Sequence, residues 1–121
     1  MEVTVNWPTV LKRYAQGERN FREISLDTEP YGELTGLILD SSDFTGSFII
    51  ATFRQCSLRS TSFRDTNVKC CDFTEADLTD ADFRGAALCS TTFKGARMTG
   101  AKFVGSSYHG TVFPEGFIPD W

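Results

Sequence analysis

The sequence is poor in the residues and motifs that most chemistry requires. It has a single histidine, and its four cysteines, at 56, 70, 71 and 89, form no C-x-x-C pair, so the ligand spacing of a zinc site is absent and no metal or cofactor is expected. It has no nucleophile elbow, P-loop or dinucleotide fingerprint, which removes the common hydrolase, nucleotidase and dehydrogenase classes. No apolar run approaches the ~20 residues of a membrane helix. The first 25 residues scatter Lys12, Arg13, Glu18, Arg19, Arg22 and Glu23 instead of framing an apolar stretch with a cleavage site. The expectation is a cytoplasmic protein with no membrane association. Net charge is −4, with 23% charged residues, an ordinary soluble balance.

What the sequence does have is a period. With 121 residues and 40% hydrophobic content it is expected to form one domain. Stepping by five from Phe48 gives Phe48, Phe53, Leu58, Phe63, Val68, Phe73, Leu78, Phe83, Leu88, Phe93, Met98, Phe103, Tyr108 and Phe113, 14 large apolar residues in succession. Two residues before each stands a small one, from Gly46 and Ala51 through Ala81 and Ala86 to Ser106 and Thr111. Five fits neither the 3.6-residue period of a helix nor the alternation of a simple strand. It fits a short extended unit that points one small and one large residue inward and then turns a corner. Asn67, Asp72, Asp77 and Asp82 precede the large position, and such side chains hydrogen-bond their own backbone at turns.

A-D-L-T-D at 76–80, A-D-F-R-G at 81–85 and C-D-F-T-E at 71–75 resemble the A-(D/N)-L-x-x unit of the pentapeptide-repeat family, and the resemblance covers roughly residues 19–113. It implies an all-β fold, a right-handed quadrilateral β-helix with four units per coil, so residues 20 apart stack. Phe53, Phe73, Phe93 and Phe113 then form one interior column, with Phe63, Phe83 and Phe103 opposite. Leu58, Leu78 and Met98 fill the third, and Phe48, Val68, Leu88 and Tyr108 the fourth. The interior is expected to be packed rather than hollow.

Toward the N-terminus the step falters. Leu34, Leu39 and Phe44 keep it, but Phe44 to Phe48 is one residue short, so a slip lies between 44 and 53; if Ile49 rather than Phe48 points inward, it falls later. Phe21 and Leu26 read as two more units, and 27–33 as a corner loop. Residues 1–18 read as an N-terminal cap containing a short amphipathic capping helix over 7–16, with Pro8 in its first turn and Gly17 at its end. Residues 114–121 read as a second cap, with Phe117, Ile118 and Trp121 folded over the last coil. The stretch 11–21 resembles the lead-in of small single-domain cyanobacterial members of the family.

Candidate chemistry is sparse. Asp72, Glu75, Asp77, Asp80 and Asp82 are dense enough to suggest paired acids or a hard-cation site, but on the four-sided coil they wrap around three faces and point outward. His109 has no Ser or Asp arranged beside it. The chain is therefore expected not to be an enzyme. Some family members imitate duplex DNA and bind type II topoisomerases such as DNA gyrase, which requires a densely negative rod. Residues 46–113 instead hold eight cations and six anions. DNA mimicry stands as the alternative to a non-enzymatic scaffold or protein-interaction module. Nucleic-acid binding is not expected either, since the basic coils are split by an acidic one. The stacking expected between charges is Asp77 with Arg97 and Asp82 with Lys102.

One face stands out. Its outward positions include Ile49, Ile50, Lys69, Cys70, Ala87, Cys89 and His109, with Lys69 the only full charge, and this strip is the candidate surface for an unknown protein partner or a homodimer. Self-coverage by the 27–33 segment or the N-terminal segment is the competing reading. Cys56 and Cys71 fall inward. Cys70 and Cys89 fall outward on adjacent coils, α-carbons roughly 6 Å apart, within disulfide range, with two free surface thiols as the simpler expectation.

Overall fold

The computed structural model describes residues 3–26 and 32–121. Extended segments are brief: β1 (Val3–Thr4), β2 (Ile24–Leu26), β3 (Gly32–Glu33), β4 (Phe48–Ile49), β5 (Ala51–Thr52), β6 (Ser107–Tyr108) and β7 (Thr111–Val112), with one helix, α1 (Trp7–Ala15). Single parallel bridges do most of the structural work. Thr52 pairs with Asp72, Ser57 with Asp77, Ser62 with Asp82, Asn67 with Ala87, Asp72 with Thr92, Asp77 with Arg97, Asp82 with Lys102 and Ala87 with Ser107. Each partner lies 20 residues further along, so the chain forms a β-helical coil of four five-residue sides. A side is too short to count as a strand, because only the bridge residue and its two neighbours are extended before the next corner. We name the four walls after a bridge residue on each: Asn67, Asp72, Asp77 and Asp82.

The corners explain the five-residue step. After each large inward residue the chain turns, and the amide of the next inward residue bonds the large residue's carbonyl, as in Cys56 N to Phe53 O (3.1 Å) and Ala76 N to Phe73 O (3.0 Å). The third residue of each turn is left-handed: Gln55, Ser60, Asp65, Cys70, Glu75 and Asp80 have φ of 53–60°. Asx bonds fix the approach. Asn67, Asp72, Asp77 and Asp82 each accept a bond from the backbone amide two residues on, at 2.9–3.1 Å. The Asp and Asn of the repeat therefore spend a side-chain oxygen on the turn itself.

Inside, Phe21, Phe44, Phe63, Phe83 and Phe103 stack along the Asp82 wall with ring centroids 4.8–5.6 Å apart. Phe53, Phe73 and Phe93 stack along the opposite Asp72 wall, 5.2 Å apart. Across the core the two columns meet edge to face, as in Phe73 against Phe83 at 5.5 Å and 90°. Both arrangements suit the ring quadrupole. The small inward positions seal the gaps. Most that carry a donor use it: Thr61, Thr66, Cys56 and Cys71 bond carbonyls of the coil before, whereas the buried Ser42 hydroxyl has no partner among the described residues.

Two expectations change here. Ile49, not Phe48, enters the core: Ile49 is fully buried, Ser47 takes the small position, and Phe48 is half-buried on the outside. The slip accordingly lies after Phe48, where four steps to Thr52 match five from Asn67 to Asp72. The coil also ends sooner than the five-residue step does. Ser107–Tyr108 pairs antiparallel with Thr111–Val112, so Thr111 and Phe113 leave the ladder. His109 and Gly110 both have positive φ (47° and 84°), which fits a primed two-residue hairpin that reverses the chain instead of carrying it around a corner. Phe113 does not join the Phe93 column; it stacks on Phe117 at 3.9 Å, and Trp121 meets Phe93 edge-on at 6.4 Å. Ile118 is 44% exposed.

At the other end α1 forms where 7–16 foresees it. Asn6 accepts from the Thr9 amide at 2.9 Å, Pro8 sits in the first turn, and Gly17 follows at φ +94°. Trp7 is buried edge-on against Phe53 (5.6 Å) and Phe44 (6.0 Å). Of the segment read as a loop, 27–31 lies outside the described residues, while Gly32–Glu33 is strand β3 paired with β5. Four more residues separate Leu26 from Gly32 than separate the matched Ile49 and Ala51 in the next coil. No helix among the described residues is long and apolar enough to cross a membrane.

Candidate interaction face

Outward bridge residues give each wall its chemistry. The Asp82 wall presents Asp43, Ser62, Asp82 and Lys102; the Asp77 wall Ile38, Ser57, Asp77 and Arg97; the Asp72 wall Thr52, Asp72 and Thr92. The Asn67 wall presents Ser25, Phe48, Asn67, Ala87 and Ser107, all half-buried and none charged. Val3–Thr4 joins this wall at its edge, in parallel with Ile24 and Ser25. The N-terminal segment thus lengthens the wall and does not lie over it.

Of the residues singled out from sequence, Ile50 and Ala87 are half-buried on this wall or its rim, and Lys69 and Cys70 are exposed at its corner. Cys89 is half-buried there, its Sγ 3.7 Å from Nε2 and 3.9 Å from Nδ1 of the exposed His109. Ile49 does not belong to the face, since the register places it in the core. Phe48 replaces it. Phe48 and Ile49 are each preceded at two residues by a small one, Gly46 and Ser47, which hides which of the two is inside.

All four thiols are free. Cys56 and Cys71 are buried, and desolvation pushes both thiols up, so they stay protonated and unreactive. The Cys70 amide donates to the Cys89 carbonyl at 3.1 Å, which places their backbones side by side without an S–S bond.

Three of the five clustered acidic residues, Asp72, Asp77 and Asp82, are engaged by turns and arginines. Arg54 faces Asp72 (3.9 Å), Arg59 faces Asp77 (4.0 Å) and Arg64 faces Asp82 (3.9 Å), while Arg97 also reaches Asp77 at 3.9 Å. Asp82 takes Arg84 at 2.7 Å instead of the expected Lys102, because Arg84 follows it through the same turn. Partial burial pushes the Asp82 carboxyl up, but bonds from the Arg84 side chain and amide and the charges of Arg84 and Arg64 outweigh it and hold the carboxyl below its usual value. Asp77 is lowered similarly: burial opposes, while Thr79 bonds and the Arg97 and Arg59 charges prevail. Such half-exposed pairs contribute at most about 1 kcal/mol each. Among the described residues no three metal-ligating side chains converge.

The family model for pentapeptide repeats (8 copies) matches residues 71–107. Residues 71–107 are thus similar to pentapeptide repeats. A pentapeptide repeat protein from Nostoc PCC 7120 is similar in structure at 29% identity, over 98% of this chain and 92% of the other, with a TM-score of 0.42. HetL of Nostoc sp. PCC 7120, a pentapeptide repeat protein involved in heterocyst differentiation regulation, is similar at 16% identity over 78% of this chain and 43% of its own, TM-score 0.48. A third similar pentapeptide repeat protein comes from the thylakoid lumen of Arabidopsis thaliana, at 26% identity over 69% and 78% of the two chains, TM-score 0.32. No curated protein matches the sequence. Coil repeats extend beyond the matched segment on the N-terminal side, where the bridges Asn20–Asp43 and Ile38–Ser57 belong to the same ladder.

Proposed function

We propose that this pentapeptide-repeat chain is a non-enzymatic scaffold that binds a protein, either a different one or a second copy, through its Asn67 wall. The observation that carries the reading is the uncharged line Ser25, Phe48, Asn67, Ala87, Ser107 on a rod whose other walls each carry charge. Interface cores are depleted in charge, and a long weakly polar strip suits a flat contact. Ile50, Lys69, Cys70, Cys89 and His109 form its rim. In the same reading the coil is right-handed, as the family resemblance implies, α1 acts as the N-terminal cap, and the protein works in the cytoplasm.

DNA mimicry has less support. Asp72, Asp77 and Asp82 lie beside arginines at 2.7–4.0 Å, and only Glu75 and Asp80 of this stretch have no ion pair among the described residues, so the middle of the rod presents mostly paired charges and not a polyanion. Ile50→Glu and Ala87→Glu test the wall. Both side chains are only half-buried, so the melting temperature should hold while self-association in sedimentation, or capture of a protein from the native host, is lost. A large drop in stability would mean that the wall is covered from within, and unchanged association would reject it. Inhibition of gyrase supercoiling by the wild-type chain would favour mimicry instead.

A further inference from the structure

The C-terminal end of the coil leaves backbone groups open. Inside the rod each bridge residue bonds the coil before it through its own amide and carbonyl: Lys102 N donates to Ala81 O at 3.0 Å, and Phe83 N donates to Lys102 O at 2.8 Å. In the last coil the same downward groups are Ala101 C=O and Phe103 N–H, and neither has a backbone partner among the described residues. Two other walls end closed. The Ser107 position pairs with Val112, and Phe93 N–H donates to the Trp121 carbonyl. At the Lys102 position the tail closes only the corner, where Gly105 N–H donates to the Phe113 carbonyl at 2.9 Å, and it leaves a cleft of about 410 Å³ beside the bridge residue.

Val104, Phe117 and Ile118 give the cleft apolar sides, with Arg84 and Lys102 on one rim and Glu115 on the tail side. Arg84 is held by Asp82, whereas Lys102 has no ion pair among the described residues. From 91 to 114 the chain has three cations, Lys94, Arg97 and Lys102, and no acid. An open strand edge is a template for another extended chain, and Lys102, unpaired beside the edge, offers it a cation across the cleft from Glu115.

We propose that this cleft binds an extended acidic peptide segment, which continues the ladder through Ala101 C=O and Phe103 N–H, sets an apolar side chain between Val104 and Phe117, and places a carboxylate on Lys102. This surface is separate from the Asn67 wall. The probe is a short fluorescein-labelled peptide of alternating glutamate and valine, followed by anisotropy at low salt beside a lysine–valine control and a copy N-methylated on alternate amides. The acidic peptide is expected to bind, with N-methylation and Lys102→Glu each weakening it by about tenfold or more. Ala87→Glu should leave this binding unchanged, which separates it from the fate of the wall. In hydrogen exchange the Phe103 amide should be fast in the free protein and slow with peptide, while the Phe83 amide is slow in both. No binding, or equal binding of the N-methylated copy, would overturn the proposal. So would a Phe103 amide already protected in a dimer without peptide, which would make a second copy the occupant.

Discussion

Truncating Phe83 to alanine should lower stability by about 3–5 kcal/mol and the melting temperature by about 10–25 °C. Its ring is fully buried and is held on four sides: stacked on Phe63 at 4.8 Å and Phe103 at 4.9 Å, and edge-on to Phe73 at 5.5 Å and Phe93 at 5.6 Å. The wall behind it cannot collapse into the void, because the ladder bonds fix the spacing of successive coils. A total stability of ~5–15 kcal/mol is typical for a domain, so one ring is a large part of it. Phe113, half-buried outside the columns, should cost clearly less when truncated. Chemical denaturation of the two variants checks this, and a Phe83→Ala protein that melts within a few degrees of wild type would contradict the packed core.

Ala81→Asp should be similarly damaging, for an electrostatic reason. Ala81 is fully buried at a small inward position, with Leu78 and Phe83 as neighbouring core residues. Its methyl has no room to be replaced by a hydrated carboxylate, and an uncompensated buried charge costs about 3–5 kcal/mol. Desolvation raises the folded-state pKa of the new aspartate above its unfolded value. Its penalty is therefore smallest below the unfolded pKa of about 3.9 and grows as pH rises. At low pH the loss should shrink to about 1–3 kcal/mol, the cost of an unsatisfied neutral polar group. The wild type moves the other way: Asp77 and Asp82 have lowered carboxyls, so their contribution is present above the unfolded pKa and fades in acid. The quantity to measure is the difference between variant and wild type at each pH. A difference that does not depend on pH would place residue 81 outside the core.

Much of this fold is legible in the sequence because its period is enforced twice, by an inward large residue and by an Asx turn. Phe53 to Phe103 and the aspartates at 72, 77 and 82 follow from that alone. Where the two constraints do not coincide, the reading fails. At Phe48-Ile49-Ile50 the large residues are adjacent and no Asx residue precedes Phe48, so the register is ambiguous by one. Near the end, Thr111 and Phe113 satisfy the small–large spacing, yet two consecutive left-handed residues at 109 and 110 turn the chain back. The bare Lys102 edge was invisible for a related reason: where the coil stops decides which backbone groups lack partners, and a hairpin decides where it stops. Five of the six sequence-chosen face residues that stay outside cluster around one coil corner and wall, since 20-residue stacking is insensitive to a slip upstream of Thr52.

Every surface assigned above depends on that stacking, and backbone nuclear Overhauser contacts test it directly. With four five-residue sides per coil, the amide and α-protons of Asp77 should show cross-strand contacts to residues beside Arg97, those of Asp82 to residues beside Lys102, and those of Asn67 to residues beside Ala87. Contacts linking Asp77 to the neighbourhood of Thr92 or Lys102 instead would mean a coil one unit shorter or longer, and would contradict both the Asn67 wall and the open Lys102 edge.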